Sequence, residues 1–241
     1  MNAVCLLCRK PDRMWCEFLD KFNNYKVFII VDDQEIDLSD IKRDYSNLTF
    51  IQISDNDCID KCYTKINYFV KKDITSWERS LLFFTFIEKS FDQVWFIEDD
   101  VFLYDESVLE KIDKKYQKED LLTRFTHFPE EKQTKWGPIE NLKEPIRSAM
   151  CCVVRMSKRM LLEINEFVKI EKRFCFLEIL FPTLATNLNL DYKNPDEFDS
   201  VRFDPDKLIK KKMTTELLQK NLFHPVKDIY KHKIYREGIL H

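Results

Sequence analysis

Three consecutive carboxylates, Glu98, Asp99 and Asp100, close an apolar run in Val94-Trp-Phe-Ile-Glu-Asp-Asp-Val-Phe102. The residues ahead of them are β-favouring or aromatic, so the run reads as a buried strand whose end delivers the acids to a cleft. Within the sheet a carboxylate would carry a large desolvation cost. Acids crowded in this way need a counter-charge. Mg²⁺ or Mn²⁺ supplies one through hard oxygen ligands and keeps positions open for substrate phosphates. An acidic turn after an ordinary strand is the alternative, and the triplet alone leaves both readings standing.

Two other residue types stand out. Glu178 is the only charge in Phe174-Cys-Phe-Leu-Glu-Ile-Leu-Phe181. Partial desolvation would raise its pKa toward the range of a general base, although a glutamate resting on the positive end of a helix has the same look. The pattern predicts that helix to start around Pro182, with Glu178 just ahead of it. Trp136 lies in a polar loop with Gly137 and Pro138. An exposed indole there suits the C–H face of an acceptor sugar, or else it tucks back onto the domain. Trp77 and Trp95, on helix and strand faces, read most simply as core.

The elements that must position these groups alternate. Short apolar runs at Ala3 to Cys8, Lys26 to Val31 and Leu48 to Ile53 read as strands, with helical apolar spacing from Arg13 to Phe22 and a helix capped by Thr75-Ser76 before the acidic strand. Connections too long for hairpins argue for an α/β fold with a largely parallel sheet covered on both faces. In such sheets ligands bind beyond the carboxyl ends of the strands, where strand order reverses. Arg9, Asp32, Asp33, Glu98, Asp99 and Asp100 all fall at strand ends. Strands at Leu121 to Phe125 and Ala149 to Arg155, then a helix capped by Ser157, complete the second half. Beyond Asn194 the chain is polar and punctuated by proline, and is expected to wrap the domain.

Composition narrows the function further. The 241 residues are 44% hydrophobic and include 20 Phe, enough for one well-packed domain. Two glycines in the whole chain argue against a Gly-x-Gly-x-x-Gly turn or a Walker loop, so metal and side chains would have to hold any nucleotide phosphates. A net charge of −3 supplies no basic field for nucleic acid. No apolar stretch reaches the roughly 18 to 20 residues needed to span a bilayer. Cys5 and Cys8 have zinc-knuckle spacing, yet they sit in a strand-like run with no second pair, so they read as buried thiols of a reducing compartment.

Taken in order, a strand ending in Arg9, a strand ending in Asp32-Asp33, Trp77-Glu-Arg79 heading a helix, and Trp95-Phe-Ile-Glu-Asp-Asp-Val-Phe102 resemble the small GT-A glycosyltransferases of large DNA viruses and protists. The likeness extends to Ser148-Ala-Met-Cys-Cys-Val-Val-Arg155-Met-Ser157, Phe176-Leu-Glu178-Ile-Leu-Phe-Pro-Thr-Leu-Ala185 and Phe223-His224-Pro225-Val-Lys227, and so covers most of the chain. It implies a single domain over 1–241, with a nucleotide-binding half at 1–103 and an acceptor half with a C-terminal lid at 104–241. It further implies a metal-dependent, inverting hexosyl or pentosyl transfer from a nucleoside-diphosphate sugar, UDP-linked, to a glycan hydroxyl. On this resemblance Asp100 and His224 hold Mn²⁺ or Mg²⁺, Glu98 and Asp99 orient the ribose or the metal's waters, and Glu178 is the base. Arg9, Asp32 and Asp33 line the nucleoside pocket, Arg79 and Lys227 serve the donor, and Trp136 and Arg155 face the acceptor. The implied location is cytoplasmic, in the host if the protein is viral. Glu-Asp-Asp departs from a strict Asp-x-Asp, which leaves open which carboxylate touches metal. A nucleotidyltransferase using the same ions, or a carbohydrate binder without activity, would carry much of the same pattern.

Overall fold

Strand β1 (Asn2–Cys8) is apolar along almost its whole length because it lies between two parallel neighbours, β2 (Lys26–Val31) and β4 (Gln93–Glu98). A strand buried on both faces has no solvent side on which to alternate. Its residues still alternate between two cores: Ala3, Cys5 and Leu7 join one apolar cluster, Val4, Leu6 and Cys8 the other. Cys5 and Cys8 therefore point to opposite faces, which removes the zinc-knuckle reading.

The computed structural model describes residues 1–65, 74–126, 142–203 and 214–239. Among these, the main sheet has seven strands in the order β3-β2-β1-β4-β6-β5-β7, with β3 at Leu48–Ile51, β5 at Leu121–Thr126, β6 at Ser148–Ser157 and β7 at Tyr192–Lys193. Of these seven, β6 alone runs against the others, pairing antiparallel with both β4 and β5. This is the mostly parallel α/β sheet that the alternation of elements predicts. Between β1 and β4 the chain has turned from building leftward to building rightward, which opens a crevice at their carboxyl ends.

Helices α1 (Arg13–Leu19), α2 (Ser39–Asp44), α3 (Asp55–Asp60), α4 (Ser76–Leu82), α5 (Glu106–Lys115), α6 (Lys158–Glu171) and α7 (Leu177–Asn187) flank the sheet. Thr75 caps α4 as expected, in a reciprocal box with Glu78. Ser157 likewise caps α6. The polar stretch from Ser54 to Asp57 is a second capping box that starts α3, because Asp57 stands three residues after Ser54. Helix α7 begins at Leu177 and carries Pro182 inside it, so Glu178 sits in its first turn rather than ahead of it.

The C-terminal segment does wrap the domain. Strands β8 (Ser200–Val201) and β9 (Phe223–His224) pair in parallel, followed by α9 (Ile229–Arg236); a short α8 (Thr215–Leu218) precedes β9. Phe102 and Phe223 exchange backbone hydrogen bonds of 2.8 and 3.2 Å, which ties β9 to the chain just beyond β4. The Arg236 guanidinium lies 3.4 Å from the centre of the Phe18 ring and donates to the Leu103 carbonyl at 2.9 Å, docking α9 on α1.

Arg155 corrects one expectation. It is fully buried, with its guanidinium donating to Asp113 at 2.8 Å and to the Glu119 carbonyl at 3.2 Å, and also to the Tyr116 carbonyl. A guanidinium enclosed by the protein's own acceptors has no face for a sugar. Asp113 in turn accepts from Asn2, Tyr25 and Trp95 as well, and so links β1, β4, β6 and α5 with the chain entering β2. Asp113→Ala would leave Arg155 buried and unpaired, and should cost about 3–5 kcal/mol. Urea unfolding monitored by circular dichroism measures this; a loss below about 1 kcal/mol, the level of an exposed pair, would show that the network is not structural.

Candidate functional site

The turn that ends β4 sets the geometry of the acidic triplet. The Asp99 amide donates to the Leu7 carbonyl at 3.2 Å and the Val101 amide to the Glu98 carbonyl at 3.0 Å, while the Trp15 indole holds the Asp99 carbonyl at 3.0 Å. With the backbone so fixed, Glu98 and Asp100 come together and Asp99 is the exposed member of the three. The chain reverses over Glu98 to Val101, closed by the bond between those two residues, and the reversal brings Asp100 back beside Glu98.

His224 completes the group. β9 carries it across, and the Val226 amide donates to the Asp100 carbonyl at 2.7 Å. Ligand atoms of Glu98, Asp100 and His224 all lie within 4.8 Å of one another. The His224 Nδ1 is 2.7 Å from the Arg202 carbonyl, an atom that can only accept, so Nδ1 carries the hydrogen. In the neutral ring, Nε2 then turns a lone pair toward Asp100 Oδ1 at 3.4 Å. That buried oxygen makes no hydrogen bond. Two lone pairs facing each other require a proton or a cation between them, and two carboxylates with one imidazole form a hard donor set suited to Mn²⁺ or Mg²⁺. The residues fit a divalent ion.

Electrostatics point the same way. Burial raises the Glu98 carboxyl, as does Asp100, against a lowering contribution from the Trp77 indole. Burial would lower His224, yet Asp100, the Arg202 carbonyl and Glu98 together outweigh it and hold the imidazole above its ordinary value. Asp99 is pushed up to about 6 by partial desolvation and by Asp100.

Glu178, half-buried at the start of α7, is pushed up to about 8, first by burial and further by the charge of Glu98; the Cys151 amide at 3.5 Å only partly offsets this. The two glutamates are thus within electrostatic reach of each other.

Asp32 and Asp33 sit beside the end of β1, their amides donating to the Cys8 and Arg9 carbonyls at 2.9 and 3.0 Å. Asp33 is held below the usual carboxylate range by the Glu35 amide and by Lys10, 3.4 Å away. Arg9 and Lys227 are exposed. Arg79 differs from expectation: it is buried, donating to Asp32 at 2.9 Å and to the Ile53 carbonyl at 2.8 Å, and pairing with Asp55. Its guanidinium is taken up by the protein's own acceptors. Trp136 lies outside the described residues. Sequence pattern gives no sign that Trp77 reaches the site, since its apolar surroundings are those of a core residue. Nor does the triplet by composition separate Glu98 from Asp99, since the turn that follows β4 decides which of them faces Asp100.

No family model matches the chain, and no curated protein sequence matches it. Solved structures do. A galactosyltransferase LgtC, solved with donor and acceptor sugar analogues, superposes with a TM-score of 0.52 at 12% identity, covering 98% of this chain and 95% of that one. The fold is GT-A-like. An active-site mutant of LgtC gives 0.53 at 12% identity over 98% and 94%. A 4-diphosphocytidyl-2C-methyl-D-erythritol synthase from Anaerococcus prevotii gives 0.49 at 8% identity over 80% and 85%. Among the described residues no helix is long and apolar enough to cross a membrane.

The raised Glu178 carboxyl has a consequence for stability. Below about pH 4.5, the ordinary value, both folded and unfolded chains hold the proton; between there and about 8 the unfolded chain releases it first. Stability should therefore fall by up to about 1.4 kcal/mol per pH unit across that window. Glu178→Gln removes this dependence, so its melting temperature should gain on the parent's from pH 5 to pH 8. A difference that stays flat over that range would refute the burial assigned to Glu178.

Proposed function

We propose that the protein transfers a sugar from a nucleoside-diphosphate donor, UDP-linked, to a saccharide hydroxyl, with a divalent cation held by Glu98, Asp100 and His224. The observation that supports this most strongly is the convergence of those three side chains at the crevice where strand order reverses. When bound, the cation would neutralise the departing diphosphate and draw Glu178 toward its ionised form.

Each part of the chain then has a task. Asp32 and Asp33, beside Arg9, line the nucleoside pocket; Arg79 stiffens it from behind. Glu178 takes the proton of the acceptor hydroxyl as the new bond forms at the anomeric carbon and the bond to diphosphate breaks. A single displacement of this kind inverts the anomeric configuration. The segment that brings His224 to Asp100, with Lys227 three residues further on, closes the donor side and limits water there.

A panel of nucleotide sugars with and without Mn²⁺, reading out released nucleoside diphosphate, tests the proposal. Release should require metal, and Asp100→Ala should abolish it while leaving the circular dichroism spectrum unchanged. Normal turnover by that variant would remove the metal assignment, and pyrophosphate as the product would replace sugar transfer with nucleotidyl transfer. Glu178→Gln should lower kcat by about 10²- to 10⁴-fold, the usual contribution of a positioned base, with donor binding preserved. A product with the donor's anomeric configuration, read by NMR, would overturn Glu178 as the base of a single displacement.

A further inference from the structure

Trp77 has the look of a core residue, since it is 7% exposed and packed among phenylalanines. Its polar edge is not idle, however. The indole Nε1 donates to Glu98 Oε1 at 2.7 Å, a short contact for a neutral donor on a carboxylate. An indole can only donate, so Oε1 accepts here and the bond engages one of the two carboxylate oxygens.

The ring is held as firmly as the donor. Trp77 lies in the first turn of α4, which the Thr75 and Glu78 capping box fixes. Its ring centre is 5.7 Å from that of Phe96 and 5.9 Å from that of Phe181. Phe96 precedes Glu98 by two residues on β4, and Phe181 follows Glu178 by three on α7. Trp77 is thus wedged between the strand that bears the metal carboxylates and the helix that bears the proposed base.

We infer that Trp77 is a positioning residue for the divalent cation: its indole holds one oxygen of Glu98 and leaves the other for the ion shared with Asp100 and His224. This rests on the metal reading proposed above. With both glutamate oxygens unrestrained, the carboxylate could turn away from Asp100, whose like charge repels it. The indole fixes that orientation before any ion arrives, as an outer partner of a metal ligand does.

The test is Mn²⁺ affinity, measured on folded protein by electron paramagnetic resonance of the free ion, for the parent, Asp100→Asn, Trp77→Phe and Phe181→Leu. Trp77→Phe keeps an aromatic ring and loses the donor; Phe181→Leu loosens the packing and keeps the donor. We expect Trp77→Phe to weaken Mn²⁺ binding about 10- to 100-fold, and Phe181→Leu to lower the melting temperature with affinity within about twofold. If the parent and Asp100→Asn both fail to bind Mn²⁺, the metal reading itself falls. If the parent binds, Asp100→Asn does not, and Trp77→Phe binds like the parent, the metal site stands and the role of Trp77 is overturned. Equal losses in Trp77→Phe and Phe181→Leu would overturn it too, in favour of packing alone. Should Trp77→Phe not fold, the Trp77 indole N–H resonance of the parent, identified by its proximity to the Phe96 and Phe181 rings, serves in its place. It must move during a Mg²⁺ titration, and an unmoved signal at saturation overturns the inference.

Discussion

The arrangement depends on one electrostatic constraint: two carboxylates and a histidine nitrogen converge at the end of β4, and only a proton on that nitrogen or a cation can sit between His224 and Asp100. Such a cluster is costly unless a positive charge joins it, because each group is partly removed from water and Glu98 and Asp100 repel one another. A fold keeps groups in that state only if the surrounding structure holds them there. Here the holding is done by the backbone at the turn, by the Arg202 carbonyl on His224 and by the Trp77 indole on Glu98. None of these neutralises the charge. Each fixes where it stands.

The C-terminal segment is the costliest of these restraints to build, since His224 lies far along the chain from Asp100. Ordering the segment that carries it loses conformational entropy that a single imidazole contact could not offset. Phe102 and Phe223 pair their backbones, and Phe102, Phe223, Val226 and Leu218 form a small core of their own. Buried aromatic and aliphatic side chains contribute roughly 1.5–3 kcal/mol each. Arg236, stacked on Phe18 and bonded to the Leu103 carbonyl, fastens the end of the segment. The histidine is therefore delivered by apolar packing, and its ring nitrogen is left to its chemistry.

Much of this is legible in the sequence where one residue decides one feature. The apolar runs of β1 and β4 announce central parallel strands, and Thr75 and Ser157 mark helix starts. The resemblance points to Asp100 and His224, but it gives Glu98 to the ribose or the metal's waters, and the structure places Glu98 in the same cluster. What escapes is decided by partners distant in the chain. Arg155 and Arg79 take binding roles from the resemblance alone; only the fold shows that Asp113 and Asp32 already occupy them. Trp77 reads as core for the equally sound reason that it packs like core. Pro182 points to the wrong start for α7 because proline favours the first turn. A helix can carry proline further in at the loss of one backbone bond, and this one does.

The separation of roles between Glu98 and Glu178 follows from their surroundings more than from their distance to any substrate. Glu98 has the Trp77 indole and His224 to favour its ionised form, opposed by burial and Asp100. Glu178 has a single amide at 3.5 Å, so burial dominates and the carboxyl keeps its proton up to about pH 8. A cation drawn to Glu98, Asp100 and His224 would act on the two differently. It would bind Glu98 directly, while Glu178 would feel only that the negative field of Glu98 had been cancelled. One contribution that raises Glu178 would thereby disappear, and the carboxyl would approach the ionised state that a base requires. In the proposed reaction, readiness to take the acceptor's proton is therefore coupled through space to occupancy of the metal site. Burial, the largest cause of the raised carboxyl, would remain, so the ion would bring Glu178 only part of the way toward its ionised form.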